Sequence, residues 1–119
     1  MAVSYPLKID QGSAASFCFC FEGDDGAIDL TGYTAAMQIR RSEFSTEAID
    51  TLTTDNGRLV MDCNGGRITA DFPCFISEKY PTGLFLYDIE VESPSGSIYR
   101  LLDGKIQIKA GVTNVRCSR

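Results

Sequence analysis

Short runs in which apolar and polar residues alternate with a period of two fill most of the chain. Alternation of this kind places successive side chains on opposite faces of a β-strand. The clearest runs are 16–21, 33–40, 67–72 and 83–92, and weaker runs lie at 4–10, 48–53, 58–63, 98–102 and 105–109. No stretch has the length and 3.6-residue period of a core helix, and residues 73–82 are expected to hold one helical turn at most.

Clusters of Gly, Asn, Asp and Ser separate these runs, at 23–26, 55–57, 64–66, 93–96 and 103–104. Such residues are typical of tight turns, and the turn at 64–66 predicts a hairpin. The pattern predicts an all-β fold, an antiparallel β-sandwich of immunoglobulin-like or jelly-roll-like type with about eight or nine short strands. The 119 residues suit one domain, 1–119, with a short N-terminal arm at 1–6 and a C-terminal tail at 110–119.

The run at 16–21 is apolar on both of its faces. Phe17, Phe19 and Phe21 share one face, and Cys18 and Cys20 share the other. We therefore expect this strand to lie buried in the middle of the protein. The centres of the alternating runs predict the core, which should include Phe19, Met37, Ile89 and Ile106.

The chain is acidic, with a formal net charge of -5 and a pI of about 4.6. Its only adjacent basic pair is Arg40 and Arg41, whereas nucleic-acid binding requires a basic patch that neutralises phosphates. The first residues show neither a charged nor an apolar targeting region, and no apolar run is long enough to cross a membrane. We expect no nucleic-acid or membrane partner and assembly in a cytoplasm.

Five cysteines are present, at positions 18, 20, 63, 74 and 117. An odd number without a secretion signal predicts free thiols in a reducing compartment. Structural zinc sites use paired short spacings, which these positions do not show, so no metal is expected.

Catalytic constellations are not apparent in the sequence. The chain has no histidine, which excludes Ser-His-Asp and Cys-His catalysis. Asp88, Glu90 and Glu92 share a strand face, and the solvent-facing side of an amphipathic strand accounts for them. We expect no catalytic residue, no cofactor and no metal, and therefore a non-enzymatic protein that binds other proteins.

Two segments resemble a known family. Residues 29–40 read Asp-Leu-Thr-Gly-Tyr-Thr-Ala-Ala-Met-Gln-Ile-Arg, and a second run extends from Tyr87 to Ile108. Together they resemble small structural proteins of tailed bacteriophages, in particular the N-terminal domain of baseplate upper proteins and related tail-fibre attachment domains. The resemblance covers residues 14–113.

The resemblance implies a phage virion structural protein, an adaptor in the tail, baseplate or fibre-attachment apparatus. Its partners would be other virion proteins, in a multimeric particle assembled in the host cytoplasm. A capsid decoration or head–tail joining protein is the alternative. A carbohydrate-binding module is a further alternative, against which stands the absence of Trp platforms.

The two ends of the chain are the predicted partner-binding segments. An unpaired strand edge invites pairing with another chain, and a short arm can supply the added strand. The residues predicted to make these contacts are Tyr5, Pro6, Val112 and Val115.

Overall fold

A computed structural model describes residues 3–23, 26–27, 29–42, 44–45, 47–62 and 66–110. This part of the chain is built almost entirely of strands and has a single short helix, α1 (Cys74–Ser77). The strands are β1 (Val3–Ser4), β2 (Leu7–Asp10), β3 (Ala15–Cys20), β4 (Glu22–Gly23), β5 (Gly26–Ala27), β6 (Thr34–Arg40), β7 (Asp50–Thr53), β8 (Leu59–Asp62), β9 (Arg67–Phe72), β10 (Gly83–Glu92) and β11 (Ile98–Lys109).

The strands form two facing sheets and a small hairpin. The larger sheet is six-stranded, in the order β1-β11-β10-β6-β7, with β2 pairing along another part of β11. The smaller sheet is three-stranded, in the order β3-β9-β8, and β4 pairs with β5. The predicted all-β sandwich is confirmed.

The order of the strands follows the immunoglobulin pattern. In that fold one sheet carries strands A, B, E and D and the other carries C, F and G. Here β3, β9 and β8 take the positions of B, E and D, and β11, β10, β6 and β7 take those of G, F, C and C′. The N-terminal strands lie parallel to β11, on the larger sheet, and not beside β3.

The core lies between the sheets and is formed by the inward face of each alternating run. The four core residues predicted from the sequence are confirmed, with side chains at most 8% exposed. They lie in a cluster with other buried side chains from both sheets, including Ile39, Leu52, Ile68, Phe72 and Ile108. Burial of these apolar side chains is the main stabilising contribution to the fold.

Asp103 and Gly104 do not form the predicted turn. Residues 98–109 are one continuous strand, β11, and Gly104 lies within it with a φ of 156°. A Cβ atom at Gly104 would lie 2.3 Å from the backbone O of Tyr5, because the N-terminal segment runs alongside β11 and places Tyr5 next to Gly104, between β1 and β2. The glycine provides room for the Tyr5 backbone beside it and does not reverse the chain.

Candidate protein-binding edge

Tyr5 and Pro6, two of the predicted contact residues, lie between β1 and β2, where the N-terminal segment runs alongside β11. The Tyr5 N–H donates to Asp103 O at 2.9 Å, and the Tyr5 O accepts a hydrogen bond from the Tyr87 hydroxyl. The side chain of Tyr5 is 52% exposed and meets the Phe19 ring edge-on, with the ring centroids 6.4 Å apart. The backbone of this segment is thus paired within its own chain, while the Tyr5 ring remains accessible.

Val112 and Val115, the other two predicted contact residues, lie outside the described residues, as do most of the predicted turn at 64–66 and the tail at 111–119. Their role in partner binding stays a prediction. The edges of the two sheets can be compared directly, because β2, β3, β7 and β8 are all described.

Side chains cover the outer edge of β7. The Thr51 N–H donates to Asp50 Oδ1 at 2.8 Å, and the Thr53 N–H donates to Asn56 Oδ1 at 3.0 Å. The amide nitrogen of Asn56 in turn donates to Thr51 O at 3.0 Å. The Asn56 amide therefore makes the hydrogen bonds that a neighbouring strand would make, which closes this edge to strand addition.

Charged residues occupy the outer edge of β2. The N–H groups of Tyr5 and Gln11 donate to β11 at 2.9 and 2.8 Å, so the alternate residues Lys8 and Asp10 direct their backbone groups outward. Both of these side chains are exposed. Charges placed on an edge strand oppose pairing with another chain.

The edge strand β8 is short and ends in a charged residue. It has four residues, and the Asp71 N–H of β9 donates to Arg58 O immediately before it at 3.0 Å. Asp62, its last residue, forms an exposed ion pair with Arg67 at 3.2 Å. Shortness and terminal charge both limit strand addition here.

The edge strand β3 lacks the side-chain caps and the charges that protect the other edge strands. The Phe21 N–H donates to Gly66 O at 2.8 Å, so the alternate residues Ser16, Cys18 and Cys20 direct their N–H and C=O groups away from β9. These three side chains are exposed, and no residue of β3 is charged. Among the described strands, β9 alone pairs with β3. In the part of the chain that the structure describes, this edge is an open template for another strand.

The inner side of β3 is apolar and incompletely covered. Phe19 is buried, whereas Ala15 and Phe17 are only partly buried against the core. The Phe17 ring meets the Phe72 ring edge-on, with the centroids 5.8 Å apart. A strand added beside β3 would cover this remaining apolar surface.

The expectation that β3 lies in the middle of the protein is wrong. Cys18 and Cys20 are exposed free cysteines on the outer face of an edge strand. The Arg67 guanidinium lies beside Cys20, and its hydrogen bond to that thiol, together with the nearby Asp62 carboxylate, raises the pKa of Arg67. The alternation gave the two faces of β3 correctly, but small neutral residues suit an exposed edge as well as a buried strand.

Cys74 is disulfide-bonded, so the expectation of five free thiols is also wrong. Its partner lies outside the described residues, since Cys18 and Cys20 are both free. Disulfides persist in oxidising compartments, and the cysteines therefore no longer support a reducing one.

A cluster of polar side chains links β7, β8 and the segment after α1. The Arg58 guanidinium donates to Asp50 Oδ2 at 2.8 Å and to Asp71 O at 2.9 Å, and the Tyr80 hydroxyl donates to Asp50. Burial lowers the pKa of Arg58, but its hydrogen bonds to Asp50 and Tyr80 outweigh burial and leave it raised. Arg58 also lies over the Phe72 ring, 5.8 Å from its centroid. These mutual contacts fix the loop ends against the core.

An open cavity of about 810 Å³ adjoins this cluster. Ile49, Ile76 and Pro81 contribute apolar lining, and Phe44 stands 85% exposed at its rim. Asp50 and Tyr80, the polar groups that reach it from the cluster, are already hydrogen-bonded to each other. The cavity therefore combines apolar walls with the charged side chains of Arg41, Glu47 and Lys79.

The carboxylates of β10 lie on the outer face of the larger sheet, as the sequence predicts. Arg100 of β11 pairs with Asp88 at 3.3 Å and with Glu90 at 3.8 Å across the strands. They line a shallow polar cavity of about 710 Å³. Within the described residues no group of three or more His, Cys, Asp or Glu side chains is placed to hold a metal ion. No helix in the same part of the chain is long and apolar enough to cross a membrane.

Comparison with known proteins gives neither a family nor a curated relative. No protein-family model matches the chain, and no curated protein does. Among solved structures the chain is similar to CopC from Methylosinus trichosporium OB3b, with 12% identity and a TM-score of 0.49 over 92% of this chain and 90% of that one. Likeness at this level assigns no function.

The phage resemblance, with the tail, baseplate and fibre-attachment role that it implied, is wrong. The solved structure reported above is a CopC protein, and neither the family models nor the curated proteins supply a phage relative. The capsid and head–tail alternatives rested on the same resemblance and are withdrawn with it. In the structure the candidate contact site is the edge of β3, which the sequence did not predict to be a contact site.

Proposed function

We propose that this protein is a non-enzymatic binding domain that takes up an extended strand of a partner protein at β3. The observation that carries the proposal is the open, uncharged edge formed by Ser16, Cys18 and Cys20. Backbone hydrogen bonds from an added strand would supply affinity that does not depend on the partner's sequence. Among the four edge strands compared above, β2, β7 and β8 are capped, charged or short, and β3 is the one left for this mode of binding.

The surroundings of β3 define the chemistry of the partner segment. Along its inner side the added strand meets the partly buried Phe17, so alternate residues of the partner should be apolar. Along its outer side it meets the exposed Cys18 and Cys20, which accept small neutral neighbours. The segment is therefore an extended strand with one apolar face.

The polar clusters elsewhere support a binding role over catalysis. Asp50, Arg58 and Tyr80 are engaged with one another, and Arg100 is shared between two carboxylates. A general acid or base must be able to reach a substrate proton, and groups held in mutual ion pairs serve the fold instead.

Site-specific photo-crosslinking in the organism that makes the protein tests the proposal. A benzophenone amino acid at position 16 lies on the β3 edge, and the same group at position 84 lies on β10, an interior strand whose Leu84 is 59% exposed. We expect one protein to be captured in high yield from position 16 and none from position 84. Equal yields at both positions would contradict a specific edge.

A proline variant separates binding from folding. Cys18→Pro removes an N–H group that points away from β9, so the ladder between β3 and β9 keeps its hydrogen bonds. We expect this change to abolish capture from position 16 while the protein stays folded. Phe19→Pro, which removes an N–H within the ladder, is the control that should unfold it. Unchanged capture by the Cys18→Pro variant would refute the proposal.

A further inference from the structure

We infer that the strand added at β3 is β3 of a second copy of this chain, paired antiparallel about a two-fold axis that passes through Cys18. This inference rests on the proposed function, because it names the partner that occupies the same edge. A symmetric dimer uses one surface patch twice, so this patch must be complementary to itself. The backbone register, the side chains and the charges of β3 can each be tested for that property.

The backbone groups of β3 match in one antiparallel register. The outward N–H and C=O groups belong to Ser16, Cys18 and Cys20. When Cys18 lies opposite Cys18 of the second copy, Ser16 lies opposite Cys20 at both ends, and every outward group has a partner. A shift of the register by one residue would place residues with outward backbone groups opposite residues that are already bonded to β9. It would also bring the inner face of one strand beside the outer face of the other.

The side chains are complementary in the same register. Phe17 lies opposite Phe19 of the second copy on the inner face, as a non-hydrogen-bonded pair, in which side chains approach most closely. Aromatic pairs across strands stabilise a sheet. The partly buried Phe17 would then be covered from its open side.

Charge favours the antiparallel arrangement over the parallel one. The chain has a net charge of -5, yet β3 itself is neutral, so two copies meet there without like charges in contact. In β9, Arg67 lies beside Cys20 and Asp71 lies beside Ser16. Antiparallel pairing therefore aligns Arg67 of one copy with Asp71 of the other, about 14 Å apart between Cα atoms at three strand spacings. Parallel pairing would align Arg67 with Arg67.

Pairing through β3 would also make the smaller sheet, shared by the two copies, as large as the larger sheet. The smaller sheet has three strands and the larger has six. Joining two smaller sheets edge to edge gives a continuous six-stranded sheet and removes its unprotected edge.

Thiol crosslinking distinguishes this arrangement from others. In the dimer the two Cys18 Cα atoms lie about 5.5 Å apart. The two Cys20 Cα atoms are offset by four residues along the strands and lie about 14 Å apart. A short bismaleimide whose spacer spans the first separation but not the second should join Cys18 to Cys18 in the Cys20→Ser variant. It should not join Cys20 to Cys20 in the Cys18→Ser variant, which serves as the matched control.

Mass spectrometry of the linked peptides identifies the pair, and sedimentation of the unmodified protein gives its oligomeric state. We expect a dimer and a Cys18–Cys18 link, and we expect the Cys18→Pro variant to sediment as a monomer. A monomer at every concentration, or links formed equally well through Cys20, would overturn the inference. If the chain is monomeric but position 16 captures a different protein, the proposed strand addition stands and self-association alone fails. If position 16 captures nothing, both fail.

Discussion

Gly104 shows how a single residue can have a role that its sequence context conceals. An Asp-Gly pair between two alternating runs is typical of a turn, and the sequence predicts one there. In the structure the same glycine lies inside β11, where the backbone of Tyr5 lies against it and leaves no room for a Cβ atom. That contact joins positions about one hundred residues apart, and local sequence gives no signal for it.

Replacing Gly104 with alanine should destabilise the protein more than replacing Gly57. Both glycines have positive φ, at 156° and 78°, so each substitution introduces backbone strain of about 1–2 kcal/mol. A Cβ at Gly104 also meets Tyr5 O at 2.3 Å, whereas a Cβ at Gly57 meets nothing within 4 Å. We expect a loss of about 3 kcal/mol or more for Gly104→Ala in denaturant unfolding. Equal losses would show that the N-terminal segment does not lie against Gly104.

Phe19 should be a large contributor to stability, as its mid-strand position predicts. It is 8% exposed, and truncation to alanine should cost about 3–5 kcal/mol. Val60→Ala, at a side chain that is 60% exposed, is the control and should change stability by less than about 0.5 kcal/mol. A loss below about 1 kcal/mol for Phe19→Ala would place its ring outside the core.

Tyr80 and Tyr87 should make the fold sensitive to alkali. Burial raises the pKa of both phenols above the ordinary value of 10.0, and the nearby charges of Asp50 and Asp103, respectively, raise it further. A phenol with a raised folded-state pKa contributes stability below the unfolded pKa, and this contribution is lost as the pH rises above about 10. Stability measured between pH 9 and 11 should fall, and it should fall less steeply in Tyr80→Phe. An identical slope in that variant would contradict the assignment.

At the scale of single elements, alternation predicts strands and faces well but not neighbours. The inward positions of β6, β9 and β10 are as the sequence predicts, because a half-buried strand must alternate. For β3, Cys18 and Cys20 led to the wrong prediction of a buried strand, because cysteine is a small hydrophobic residue that is common in cores. Whether a strand lies at an edge depends on which other strands pair with it, and this is a property of the whole sheet.

The state of the cysteines gives a test at this scale. Cys74 is in a disulfide, and Cys18 and Cys20 are exposed and free. Thiol titration of the unfolded, unreduced protein should therefore find fewer than five free thiols, with Cys18 and Cys20 among them. In the folded protein, Cys18 and Cys20 should react rapidly because reagent reaches exposed thiols. Five free thiols would contradict the disulfide.

For the whole molecule, the sequence predicts the sandwich but not its family. Leu30, Gly32 and Tyr33 carried much of the phage resemblance. In the structure Leu30 is 1% exposed, and Gly32 has a φ of 81° where a Cβ would lie 2.8 Å from Pro94. These residues allow the chain to turn tightly just before β6, and unrelated β-sandwiches contain turns of the same kind. The motif is therefore explained by local structure and is not evidence of shared ancestry or function.

The candidate site was predictable only in part. An all-β fold makes the sheet edges candidate sites for strand addition, and Tyr5 does lie close to the inner side of β3. The edge itself was not predictable, because the N-terminal strands could have paired with β3 and closed it. In the structure they pair with β11, and that choice leaves β3 open.

Residue-resolved amide hydrogen exchange tests the central claim, that β3 is an open edge that receives a strand. In dilute protein the amides of Ser16, Cys18 and Cys20 should exchange rapidly, while those of Phe17 and Phe19 stay protected by β9. In the assembled protein the first three should become protected as well. Protection of all five amides in the monomer, or rapid exchange of Cys18 in the assembled protein, would contradict the account.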